Sequence, residues 1–255
     1  MAILFVASEA FELEPFAQQL TGLRPLKWPL AYAREGVWQG KRYLLTANGA
    51  GPRLATQCVE VALRATSMAE LSSSKLECVV STGLCGALQQ DIPVGDIIEA
   101  SELLDPDSQA RVKCFEPRGD RSVRSGIVVS VDRVAGTKEE KRILGQTGAI
   151  AVEMEGFGVA ARTASAQLPF CCIKVVSDSA DEEFVMDFNR MRSTDGRLLR
   201  GKIIVYALTH PQVLPRLLSL RRRSKEAASA LGVFLASCRF QFNDGLAEAG
   251  GTGHE

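Results

Sequence analysis

Cys78-Val79-Val80-Ser81-Thr82-Gly83-Leu84-Cys85-Gly86-Ala87 decides the fold class of this chain. It opens on an apolar run too short for a helix and closes on a glycine turn. A strand buried on both faces and delivering a turn reads this way. Similar short runs recur at Ile3–Ala7, Tyr43–Ala47, Ile97–Ala100, Gly126–Val131, Ala149–Val152 and Cys171–Val176. Helical patterns separate them. Gly51-Pro52 opens a segment in which Leu54, Cys58, Val59, Ala62 and Leu63 fall at helical spacing, with proline in the permitted first turn. Thr137 and Glu140 have capping-box spacing ahead of Ile143 and Leu144. Gly156 to Gln167 reads as a helix that stops before Pro169. Strands alternating with helices predict an α/β fold with a largely parallel sheet.

Composition narrows the function. The 255 residues carry 30 basic and 30 acidic side chains, and 46% are apolar. That is ordinary globular composition, with a core of useful size. Zero net charge argues against a nucleic-acid binder that works by neutralising phosphates. No apolar run reaches the ~20 residues of a membrane span. Glu9, Glu12 and Glu14 follow the first apolar run and no basic segment precedes it, so a secretory signal is not expected. Seven cysteines form no CxxC pair, which fits free thiols in a reducing cytoplasm and predicts neither a disulfide framework nor structural zinc. The two histidines are His210 and His254. A Ser-His-Asp triad or multi-histidine metal site in the first 200 residues is excluded, so acid–base chemistry there falls to carboxylates, Lys, Tyr or Cys.

Ligands of α/β sheets bind beyond the carboxyl ends of parallel strands. Here those ends are followed by Ser8, Glu9 and Glu12; by Thr82 to Ala87; by Glu153-Met154-Glu155-Gly156; and by Ser177-Asp178-Ser179-Ala180-Asp181. Four strand ends thus deliver carboxylates, hydroxyls and a glycine turn to one side of the sheet, the composition of a carboxylate-rich pocket. Each element alone has a plainer reading. Gly83 to Gly86 is either a tight strand-to-helix turn or a cradle whose backbone N–H groups face an anion or sugar. Glu153 and Glu155 share a face if extended and diverge if helical. They also suit a helix N-terminus, as Asp178 suits an N-cap and Glu12 a helix surface.

Taken together, the elements resemble the nucleoside phosphorylase and nucleosidase superfamily, particularly the methylthioadenosine/adenosylhomocysteine nucleosidases. The resemblance spans about residues 2 to 205. It rests on Ser81 to Leu88 followed by Val94-Gly95-Asp96-Ile97-Ile98, then Ala151-Val152-Glu153-Met154-Glu155, then Val176-Ser177-Asp178. Asp132-Arg133-Val134, Thr137 to Lys141, Asp195-Gly196-Arg197 and the basic segment from Leu214 are similar to the hopanoid-associated phosphorylase branch. The implied fold is a single α/β domain over residues 1–210 with a twisted mixed central sheet flanked by helices. A basic helical extension over 211–240 and a disordered, glycine-rich tail over 241–255 complete the expected organisation.

The resemblance also implies roles. Asp178 protonates or hydrogen-bonds the purine N7 and Ser177 steadies the turn. Glu155 accepts the ribose hydroxyls, with Glu153 beside it, and Met154 packs on the sugar. Glu12 activates the attacking water. Val134 lies against the base, Ala50 lines the ribose side, and Gly83 and Leu84 line the pocket. Leu84 and Ser81 stand where phosphorylases of the superfamily carry phosphate ligands, which favours water as nucleophile. The hopanoid-associated branch is also apolar at the place of Leu84, so phosphorolysis stays open, with Arg53 or a partner's arginine compensating. The segment from Asp105 to Gly126 is shorter than in relatives, and its usual helix is expected to be absent.

The expected function is hydrolysis of the N-ribosyl bond of a 5′-substituted adenine nucleoside, as in methionine salvage. The alternatives are phosphorolysis, including that of an adenosylhopane-like lipid nucleoside, and non-catalytic nucleoside binding. No metal or organic cofactor is expected, only phosphate as co-substrate in a phosphorylase. A homo-oligomer in the cytoplasm is expected. Arg221-Arg222-Arg223 beside Leu217, Leu218 and Leu220 raises peripheral membrane contact through the C-terminal helix.

Overall fold

The computed structural model describes residues 1–67, 75–117, 123–193 and 196–240. The chain runs β1 (Ala2–Ala7), α1 (Ala10–Ala17), β2 (Thr21–Pro25), β3 (Tyr32–Trp38), β4 (Lys41–Ala47), α2 (Pro52–Ser67), β5 (Leu76–Ala87) and β6 (Ile97–Leu104). Then follow β7 (Arg111–Lys113), β8 (Arg124–Ser130), α3 (Lys138–Gly145), β9 (Ala151–Glu153), α4 (Gly156–Ser165), β10 (Phe170–Asp178), α5 (Arg200–Thr209) and α6 (Leu214–Ser237). The expected tail over 241–255 lies outside the described residues. Between Asp105 and Arg124 the described residues form a turn and the short β7, with no helix.

All ten of these strands join one mixed sheet. The pairings β1–β4, β1–β5, β5–β10, β6–β8 and β8–β9 are parallel. The others, including β5–β9 and β6–β10, are antiparallel, so the sheet is less parallel than strand–helix alternation alone predicts. Two strands that the apolar runs did not reveal, β2 and β3, are the reason on one side. They continue antiparallel beyond β4, and β2 at the edge has no buried residue. A solvated edge strand carries little apolar signal.

β5 is the hub. Leu76–Ser81 pairs with β1, Gly86–Ala87 with β9, and Val79–Gly86 with β10. The pairings from β10 through β6, β8 and β9 to β5 then return to β10, so five strands close on themselves. The glycine turn expected after β5 is therefore inside it. Gly83 adopts φ +119° and bends the strand while its ladder to β10 continues.

Strand alternation splits the core into two layers. Leu4 and Val6 face Ala55, Cys58, Val59 and Ala62 of α2 and Val159 and Ala160 of α4. Ile3, Phe5 and Ala7 face Leu13 and Phe16 of α1 and Leu231, Phe234 and Leu235 of α6. Burial in α6 begins at Ala227. Its C-terminal half is core, not an appendage. Gly232 permits the contact with α1, since a Cβ there would lie 2.6 Å from Pro15 Cβ and 2.8 Å from the Phe16 nitrogen.

Candidate active site

Closure of the five strands brings the ends of β5, β9 and β10 together. Gly86 pairs with Val152 on one side and with Asp178 on the other. A Cβ at Gly86 would lie 2.8 Å from Asp178 Oδ2, so glycine leaves the carboxyl group its place. Beyond these ends is a cavity of about 210 Å³. Nine of the ten residues named from the sequence line it: Glu12, Ala50, Leu84, Val134, Glu153, Met154, Glu155, Ser177 and Asp178. The tenth, Gly83, lies behind Glu12; its absent Cβ would fall 2.6 Å from Glu12 Oε2. Ser8, Arg133 and Phe184 add to the lining. A larger cavity of about 760 Å³ between Gly95–Ile97 and Ala230–Phe234 has two ionisable side chains, Asp96 and Arg124, and these bond each other.

Each carboxyl group is held by its own local fold. Glu12 sits in the first turn of α1, and its Oε2 accepts from the backbone N–H of Ser8 at 3.0 Å and of Glu9 at 3.2 Å. Ser8 Oγ donates to Oε1 at 2.9 Å. β9 ends at Glu153, and Glu155 is already the N-cap of α4. The two glutamates nevertheless meet at one cation, because Lys174 Nζ lies 2.9 Å from Glu153 Oε2 and 3.3 Å from Glu155 Oε2. Glu153 also accepts from the N–H groups of Glu155 and Gly156. Its oxygens are thus occupied by α4 and Lys174, which suits it to positioning Glu155. Glu155 Oε1 accepts from Gly51 N–H at 3.1 Å, tying the start of α2 to the site. Ser177 Oγ donates to Asp178 Oδ1 at 2.6 Å, and Lys141 Nζ donates to Asp178 Oδ2 at 2.6 Å. Asn189 holds both backbone polar groups of Val134, at 2.8 and 3.0 Å.

Lys141 and Lys174 are the functional residues that sequence reading passed over. Both are fully buried. Lys174 had a visible signal: a lone cation in the apolar run of β10 must meet an anion. Lys141 had none, because on α3 it reads as a charge on an amphipathic helix. Four buried carboxyls face these two cations. Burial, then Glu155, pushes Glu12 up to about 7, against the pull of Lys174. Burial also raises Asp178, with Lys141 and Ser177 restraining it. Glu155 is raised by burial although Lys174 opposes it. Burial acts on Glu153 in the same direction, but Lys174 and the hydrogen bonds overcome it and leave this group below the usual range. Lys174 is held well above its ordinary value: burial opposes its charge, and Glu153 and Glu155 outweigh that. The site therefore combines a firm Lys174–Glu153 ion pair with three carboxyls biased toward holding protons.

Removing Lys174 leaves Glu153 as an unpaired buried charge. Lys174→Met is expected to destabilise the fold by about 3–5 kcal/mol. For a chain of this size that is a fall in Tm on the order of 10 °C, read by calorimetry. An unchanged Tm defeats the ion-pair assignment.

Residues 103–200 match the family model described as "Phosphorylase superfamily". Among similar proteins is the aminodeoxyfutalosine nucleosidase of Helicobacter pylori (strain ATCC 700392 / 26695), 25% identical over 199 residues, or 66% of this chain and 83% of that protein. The 5′-methylthioadenosine/S-adenosylhomocysteine nucleosidase of Staphylococcus aureus (strain JH9) is 23% identical over 180 residues, or 60% of this chain and 75% of its own. In structure, the nucleosidase of Neisseria meningitidis in complex with methylthio-immucillin-A aligns with TM-score 0.68 at 20% identity, covering 92% of this chain and 97% of that one. That likeness establishes a shared fold. Within that fold, this chain places its acidic cluster on the ends of β1, β9 and β10.

Proposed function

We propose that this chain hydrolyses the N-ribosyl bond of an adenine nucleoside carrying a 5′ substituent. One observation carries the reading: Asp178 and Glu12, two buried carboxyls of raised proton affinity, line one small cavity with Glu155 and Met154. Breaking the C1′–N9 bond sends its electron pair to the base and leaves positive charge on the sugar. Asp178 gives a proton to N7, so the base leaves neutral. Glu155 accepts hydrogen bonds from the sugar hydroxyls, which become stronger donors as the ribosyl group turns cationic. Glu12 takes a proton from the attacking water, whose oxygen bonds C1′. Free base and free sugar are the products. The names of the relatives, nucleosidases for methylthioadenosine, adenosylhomocysteine and aminodeoxyfutalosine, support the substrate class.

The deciding assay incubates the protein with methylthioadenosine, adenosylhomocysteine and adenosine, with and without phosphate. Free sugar formed without phosphate is expected. One observation favours phosphorolysis instead. A neighbouring cavity of about 270 Å³ meets the site at Ala50 and is lined by Arg53, Asp132 and Arg192, the last two paired at 2.7 Å, so an anion there would compete with Asp132 for Arg192. Ribose 1-phosphate formed only with phosphate would select that reading. No base released from any nucleoside would favour a binding protein.

Lys141 is a positioning residue in this scheme. It fixes Asp178 Oδ2 and is itself fixed by the carbonyl oxygens of Ser179 at 2.6 Å and Glu182 at 3.2 Å. Without it burial acts unopposed on Asp178. Lys141→Met is expected to lower kcat by about tenfold or more, with less change in KM, and to move the alkaline limb of the rate profile to higher pH. A limb that stays in place removes the role.

Subunit association, with a partner completing the pocket, belongs to the same reading, and light scattering in solution tests it. Location in the reducing cytoplasm fits seven free thiols, six of them buried.

A further inference from the structure

We infer that α5 and the first half of α6 form an arm that docks onto an anionic lipid surface. From Arg200 to Glu226 Val213 is the one buried residue. Ile204, Val205 and Leu208 stand 60, 61 and 76% exposed on one face of α5. Leu214 and Leu218, one turn apart at the start of α6, stand 46 and 55% exposed. Exposed side chains of this size, clustered on adjoining helices, mark a surface that meets something. The charge says what. Arg200 to Lys225 contains seven Lys or Arg and no Asp or Glu. Arg200 pairs with Glu9 and Arg223 with Glu182, which fasten the arm to the domain.

Arg222 meets Glu226 at 3.8 Å, which leaves Lys202, Arg216, Arg221 and Lys225 without an acidic partner among the described residues. Large apolar side chains beside such cations are the composition of an interfacial helix. The apolar face enters the headgroup boundary and the cations meet anionic lipid. A second copy fits this surface poorly. A two-fold contact would bring the uncompensated cations Lys202, Arg216, Arg221 and Lys225 of each copy together. A nucleic acid would satisfy the cations and leave five apolar side chains in water. No described helix is long and apolar enough to cross a membrane, so the arm lies on the surface. The structure also shifts the sequence-level view of this region. Leu217 and Leu220 are half-buried and Arg223 is ion-paired, so the membrane face is centred on α5 and not on Arg221-Arg222-Arg223. Arg200, at the root of the arm, lines a cavity of about 300 Å³ that shares Ser8 with the acidic site. Docking through the arm would hold that site near the headgroups.

The test is flotation of the full chain with phosphatidylcholine vesicles containing roughly 30% phosphatidylglycerol, against pure phosphatidylcholine, at low and high salt. Binding to the anionic vesicles alone, lost at high salt, is expected. Lys202→Gln/Arg216→Gln/Arg221→Gln and Ile204→Ser/Val205→Ser/Leu208→Ser should each lower the bound fraction about tenfold or more. Both variants should keep the parent's Tm and its ability to release base from a soluble nucleoside. Absence of flotation, or equal flotation with neutral vesicles, overturns the inference. So does a dimer that the serine variant converts to monomer, which would make the face an interface between copies. Salt-sensitive binding to duplex DNA without lipid binding would also overturn it.

Discussion

Asp178→Asn is expected to lower kcat for base release by about 10²–10⁴-fold. The asparagine keeps the shape, but it has no proton to give N7. The purine would then leave as an anion from a cavity whose remaining carboxyls already oppose negative charge. The loss corresponds to about 3–5 kcal/mol of transition-state stabilisation. KM should change far less, because a side-chain amide can hold N7 by a hydrogen bond. The new amide also faces Lys141 Nζ across the former 2.6 Å contact. Two donors in opposition there would turn the amide over, and a Lys141→Met/Asp178→Asn double variant separates that effect from loss of the acid. A single variant with normal turnover removes Asp178 from the mechanism.

Glu12→Gln separates the two chemistries. A hydrolase needs this carboxylate to take a proton from water, so the variant should lose about 10²–10⁴ in rate. A phosphorylase brings its own anionic nucleophile and should be nearly indifferent. The pH dependence follows from the same group. Glu12 titrates at about 7, so hydrolysis should rise as pH increases through 7. Stability should run the opposite way. The folded-state value lies above the ordinary 4.5, so between 4.5 and 7 the folded state binds more protons than the unfolded one. Stability contributed by that proton is present below 4.5 and is lost as pH rises through 7. The difference is about 3 kcal/mol. Thermal melts at pH 5 and pH 8 should therefore differ more for the parent than for Glu12→Gln. At pH 8 the inactive variant should be the more stable protein, a cost in stability accepted for a working base. Equal slopes for the two proteins would refute the raised value.

Much of this was legible in sequence because local chemistry writes it there. Thr137 and Glu140 do form the capping box of α3, since the reciprocal bonds need only four consecutive residues. Pro52 opens α2 and α4 stops before Pro169 for equally local reasons. β2 was not legible because an exposed edge lacks the apolar run that marks β1, β5 and β10, and β3 was not because its buried positions are Ala33, Glu35 and Gly36. The glycine turn was misplaced for another reason. Gly83 and Gly86 look like the end of a strand, yet β10 continues to pair with β5 through both of them. Only the partner strand decides that a glycine bends a strand instead of ending it.

The acidic site divides in the same way. By itself, the sequence determined that carboxylates follow the ends of β1, β9 and β10, because a strand's end and the residues after it are adjacent in the chain. Tertiary structure alone decided what those carboxylates are. Lys141 meets Asp178 from 37 residues away, and Lys174 of β10 meets Glu153 of β9 across the intervening helix α4. Burial and a cation's distance set proton affinity, and both are properties of packing between distant segments. The same holds for the arm. Its leucines and arginines are plain in the sequence, but whether Leu208 is core or surface depends on whether another element covers it, and none of the described elements does.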